Sequence, residues 1–156
     1  VLLSLYTGLR RGNVLSMRWS NVDLKNGLIY SPDSKNGQPI QTPMTTHTKE
    51  LLERIKSTAD SEWVLPSNKS ASGHLEDPKR PWQDLLQRAG IENLRLHDLR
   101  RTQGSYQAIT GTSLHIIGKS LGHKSTGATS VYAKLTNDPI REAMQKATDK
   151  MMEYLD

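Results

Sequence analysis

The chain has 156 residues and no cysteine, with 21 Lys plus Arg against 16 Asp plus Glu for a formal net charge of +5. That length suits one domain with a real core and is too short for two well-formed ones. The missing cysteine excludes disulfides and thiolate metal sites, so any nucleophile must be oxygen or nitrogen, and the basic balance points toward a polyanion such as nucleic acid.

The opening "VLLSLYTGL" is an apolar run of about six residues, too short and too badly flanked for a membrane span or a signal peptide. It reads as a piece of a longer, cytosolic protein. After the Thr7, Gly8 break, Leu9, Val14, Leu15, Met17 and Trp19 recur near helical spacing, which predicts a helix from about residue 10. "NGLIY" and "QPIQTPM" are β-prone and flank the turn-rich "SPDSKNG", a short hairpin with Lys35 at its tip. Behind Thr caps, Leu51, Leu52 and Ile55 share a face, so a helix is expected over about 46–57. "EWVLP" suggests a short strand, and the Ser and Gly-rich stretch 67–80 suggests a loop prone to disorder.

"PWQDLLQRAG" predicts a helix with Pro near its start and Gly90 at its end. "LHDLRRTQGSYQAITG" predicts another that Gly111 stops, and "SLHIIGKSLGH" a shorter one ending at Gly122 and His123. "TGATSVYAKL" is short and poor in strong helix formers. The segment 138–156 is amphipathic, with Ile140, Met144, Ala147, Met151 and Leu155 on one stripe. Together these elements predict a mostly helical α+β domain with a small antiparallel β-hairpin at one edge.

Basic residues gather in "LRR" at 9–11, "LRLHDLRR" at 94–101 and "GHK" at 122–124, which makes Arg11, Arg101 and Lys124 either solvated surface or candidates for contacts to a nucleic acid. His97 and Arg100 stand three apart on a predicted helix, so both leave one face and could serve one ligand. Arg100 offers a fork that matches two phosphate oxygens, and His97 offers a donor or acceptor near neutral pH. The plainer alternative pairs Arg100 with Asp98. Arg10 at a helix start opposes the helix dipole, a placement that hints at another purpose. Lys35 alone reads as a solvated turn residue, and Tyr132 alone as a core or rim tyrosine. Asp98 is the only acid inside the basic segments 95–101 and 119–134, and His97 and His123 lack helical metal-ligand spacing. No metal is expected.

The order TGLRRGNVLSMRW, Lys-tipped hairpin, LHDLRRT, LGH, and Tyr nine residues after His123 resembles the catalytic domain of the tyrosine recombinase (phage-type integrase) family over roughly residues 1–140. Matched residue by residue, the resemblance implies a catalytic set of Arg10, Lys35, His97, Arg100, His123 and the nucleophile Tyr132. Lys25 is a rival to Lys35 that precedes the first strand. Where many members carry an acid three residues after the first arginine, this chain has Asn13. The implied fold is that of the DNA breaking-rejoining enzymes, and the implied function is cleavage and rejoining of double-stranded DNA through a 3′-phosphotyrosyl intermediate. It needs no cofactor. The resemblance also implies a tetramer on DNA in the nucleoid and an N-terminal core-binding domain outside this chain, with the C-terminal helix 138–156 either docking on a neighbour or folding back on its own core. A type IB topoisomerase-like enzyme and a DNA-binding module without catalysis are the alternatives.

Overall fold

The computed structural model describes residues 1–31, 40–123, 125–135 and 139–153, with the side chains of 139–141 outside that description. It gathers into two compact units, Val1–Gln103 and Gly104–Asp156.

In the first unit, helix α1 (Leu2–Thr7) stops at Gly8, whose left-handed φ of 61° suits a residue without Cβ. The Thr7 hydroxyl donates to the Leu3 carbonyl at 2.6 Å and accepts the Leu9 amide at 3.2 Å, which closes the turn. Helix α2 (Arg11–Leu15) follows with Arg10 at its N-cap. It is much shorter than the apolar spacing through Trp19 suggests. The reason lies in the backbone: Met17 accepts the Val64 amide at 2.9 Å and Trp19 donates to Glu62 at 2.9 Å, so this stretch is extended against residues 62–64. "EWVLP", expected as a strand, contributes only isolated bridges, Arg18 with Trp63 and Pro66 with His74.

Strands β1 (Val22–Asp23), β2 (Leu28–Ser31) and β3 (Ile40–Pro43) form an antiparallel sheet in that order, with Ile29 opposite Thr42. The two hairpin strands stand where the sequence puts them; the tip, with Lys35, lies outside the described residues. Helix α3 (Thr46–Lys56) is capped by the Thr45 hydroxyl, which accepts the Thr48 amide at 3.2 Å. Leu3, Leu9, Val14, Met17, Ile29, Leu52 and Val64 make the core of this unit. The stretch expected to be disordered is a set of turns closed by its own hydrogen bonds, among them Ser67 to Gly73 and Ser70 to His74, and it runs into α4 (Lys79–Ala89).

Helix α5 (Asp98–Ile109) begins one residue after His97. In the second unit, α6 (Leu114–Ser120) is capped by Ser113, α7 (Thr126–Thr129) leads into a 3-10 turn (Ser130–Leu135), and α8 (Pro139–Met152) follows. Ala108, Ile117, Leu121 and Tyr132 form the core here, with Leu114 against it. The Ser120 hydroxyl donates to Gln107 Oε1 at 2.9 Å and so ties α6 to α5. Residues 142–153 are exposed, including Met144 and Met151 of the apolar stripe. Among the described residues no helix is long and apolar enough to cross a membrane.

Candidate active site

The second arginine of the sequence pattern is bonded to the segment that leads into the first. Arg100 is buried, and its Nη1 donates to the Gly8 carbonyl at 2.7 Å. Gly8 stands two residues before Arg10, so the α1 turn that sets Arg10 is also the turn that holds Arg100. A charge-assisted bond of this kind contributes about 1.5 to 3 kcal/mol. Asp98 does not take Arg100; it accepts Arg95 through Nη2 at 3.1 Å and through the Arg95 amide at 2.9 Å, and Arg101 at 3.4 Å. Hydrogen bonding from the Arg95 side chain first, then from its amide, holds the Asp98 carboxyl down to about 2.

His97 occupies the turn into α5 and is exposed, and its carbonyl accepts the Arg100 amide at 3.2 Å. The approach to it is fixed upstream, where the Trp82 indole donates to the Leu94 carbonyl at 3.1 Å. Partial desolvation of the ring first, then the neighbouring cations Arg100 and Arg101, holds the His97 imidazole below its ordinary 6.5. It is therefore neutral at neutral pH and able to accept a proton. Asn13, in the place of the usual acid, has its buried Nδ2 without a hydrogen-bond partner. Arg11 is exposed and pairs with Asp77 at 3.2 Å, and Arg101 is exposed beside Asp98. Lys35 and Lys124 lie outside the described residues.

In the second unit, "LGH" is a helix ending. Gly122, at φ 60°, donates to Lys119 at 3.0 Å, and the His123 amide donates to Gly118 at 2.8 Å, the paired bonds of a Schellman cap. That cap projects His123 from the end of α6. Its Nδ1 lies 2.8 Å from the Thr129 hydroxyl, and its ring is parallel to that of Tyr132 at 6.5 Å between centroids.

Tyr132 is 4% exposed. Its ring rests on α5 at Gly104, where an added Cβ would lie 2.6 Å from Cζ and 2.8 Å from the phenol oxygen. Yet Val131, Ala133, Lys134 and Leu135 around it are all exposed, so the turn is a surface segment with one ring turned inward. Thr129 and Gly104 escape a reading of the sequence, because a threonine or glycine among many carries no spacing signal. Among the described residues, no three His, Cys, Asp or Glu gather as a metal site would require.

The fold is similar to that of the Tn1549 transposon integrase in complex with a circular intermediate DNA, with a TM-score of 0.79 at 13% identity over 93% of this chain and 56% of that one. In sequence the chain is 31% identical to prophage integrase IntF of Escherichia coli, over 91% of this chain and 31% of the relative. It is 33% identical to tyrosine recombinase XerA of Saccharolobus solfataricus, over 93% and 48%. The chain thus spans from about a third to about half of these relatives. The model of the phage integrase family matches residues 1–138, and the chain belongs to that family, as a tyrosine recombinase catalytic domain.

Proposed function

We propose that this chain cleaves and rejoins double-stranded DNA with Tyr132 as nucleophile, Arg10, Arg100 and His123 as phosphate ligands, His97 as proton acceptor and Lys35 as proton donor. The observation that carries the reading is the Arg100 bond to Gly8 at 2.7 Å, which binds the segment of the first arginine to the second. A phosphodiester repels anionic nucleophiles and gains charge on its non-bridging oxygens during attack. Two guanidinium forks and an imidazole donor, fixed beforehand, stabilise that charge, each such donor contributing about 3 to 4 kcal/mol in the transition state.

The Tyr132 phenol has an ordinary pKa of about 10 and must lose its proton as it attacks. The neutral state of His97 suits it to take that proton. As the new bond between Tyr132 and phosphorus forms, the bond to the 5′ oxygen breaks, and Lys35 gives that oxygen a proton. One ester replaces another, so the adduct keeps the bond energy and a 5′ hydroxyl can reverse the step without ATP. The buried ring has to swing out on its turn before it can react.

The same reading gives α8 a second copy of the chain as its partner, forming a tetramer on DNA in the nucleoid. The exposure of Met144 and Met151 supports it, since methionine suits an adaptable docking face. Arg11, Arg101 and Lys124 then contact the DNA backbone. The test is covalent trapping. Nicked duplexes drawn from a randomised pool by adduct formation, with EDTA present, are expected to yield a denaturation-resistant adduct with the original chain and none with Tyr132→Phe. Equal adduct from both would remove Tyr132 from the mechanism, and no adduct from either would favour a binding module without catalysis.

A further inference from the structure

Resting on the proposed role of His123, we infer that Thr129 is a positioning residue: its hydroxyl donates to His123 Nδ1 and thereby holds the neutral ring with its proton on Nε2, the tautomer that can donate to a phosphate oxygen. The contact is 2.8 Å long, and Thr129 is 3% exposed. The hydroxyl has little freedom to move away, because α6 backs it directly: a Cβ built on Gly118 would come within 3.0 Å of Thr129 Oγ1. His123 is thus held at two points, its amide on the Gly118 carbonyl and its ring on Thr129.

The tautomer matters because a neutral imidazole carries one N–H. Were it on Nδ1, the nitrogen across the ring would be an acceptor and would meet a phosphate oxygen lone pair to lone pair. A hydroxyl is a suitable partner for both states of the ring. It donates to the bare Nδ1 of the neutral form, and by rotation accepts from Nδ1–H of the cation, so the ring keeps its orientation when its charge changes. A carboxylate in that place would favour the cation, and an aliphatic side chain would select neither tautomer. His123 also borders a cavity of about 540 Å³ that Lys119 and Ser125 line, within the same unit.

The experiment is a double-mutant cycle in single-turnover adduct formation on the trapped nicked duplex. Thr129→Val keeps the shape without the hydroxyl and is expected to slow the step about tenfold to a hundredfold, the range found when the partner that orients a metal-ligating histidine is removed. Thr129→Ser keeps the hydroxyl and is expected to stay within about twofold of the original. On a His123→Ala background, Thr129→Val should change the rate by less than about twofold, since it acts only through that ring. In the unsubstituted chain, the ¹⁵N spectrum of His123 should show the proton on Nε2.

If Thr129→Val reacts at the original rate while His123→Ala is slow, the inference fails and the proposed function stands. If His123→Ala itself reacts at the original rate, the role of His123 fails instead. Equal losses from Val and Ser, an undiminished Thr129→Val effect on the His123→Ala background, or a neutral ring protonated on Nδ1 would each overturn the positioning role.

Discussion

Replacing Gly104 with alanine should separate the two states of Tyr132. The new methyl carbon would lie 2.6 Å from the ring Cζ, 2.8 Å from the phenol oxygen and 2.9 Å from Cε1, and neither a rigid ring nor a helix backbone yields by that much cheaply. Driving the ring out of the cluster with Ala108, Ile117 and Leu121 forfeits about 2 to 3 kcal/mol of burial. Alanine in a helix interior returns about 1 kcal/mol over glycine. The net expectation is a loss of about 1 to 2 kcal/mol in the stability of the second unit.

On a Tyr132→Ala background the clash is gone, and the same substitution should stabilise by about 1 kcal/mol. The sign reverses. Urea unfolding followed by circular dichroism measures both arms, and nitration of Tyr132 reports its release. Because each 1.4 kcal/mol of weakened docking raises the undocked fraction about tenfold, single-turnover adduct formation should accelerate by up to about that factor. Gly104→Ala that stabilises with Tyr132 in place, or leaves its ring as protected as before, would refute the reasoning.

Arg100→Lys keeps the charge and loses the fork, and is expected to slow adduct formation about a hundredfold or more. The same substitution also weakens the 2.7 Å bond to Gly8, so the thermal midpoint should fall in the same sample. With the His97 imidazole held below 6.5, the proton-accepting form persists into mildly acidic solution. The kcat/KM profile should therefore stay level as pH falls through 6.5 and decline only below it, and half-loss at or above 6.5 would contradict that base. Asp98, ionised down to about 2 against an ordinary 3.8, contributes stability that is fully present above 3.8 and disappears as pH falls through 2. Acid unfolding of Asp98→Asn should lack that component.

Much of the fold is legible where one physical signal acts alone. Thr45 caps α3 and Gly90 ends α4 because capping is local chemistry. The hairpin strands follow from β-prone runs around a turn. The stretch from Met17 to Trp19 misleads because spaced apolar residues fit a helix as well as an extended chain, and the choice is made by Glu62 and Val64, more than forty residues away. His97 and Arg100 are found from spacing, while the bond from Arg100 to Gly8 is not, since a backbone acceptor leaves no residue signature. The same holds for the recess at Gly104. Tyr132 is a core ring on an otherwise exposed turn, so the packing reading of that residue taken alone describes this structure.

In the proposed mechanism the phenol of residue 132 becomes the phosphate ester. Digestion of the trapped adduct followed by mass spectrometry should place the nucleotide on the peptide holding Tyr132, joined through a 3′ phosphate, with EDTA present throughout. A nucleotide on any other residue, a 5′ linkage, or an adduct that forms only when a divalent ion is restored would contradict it.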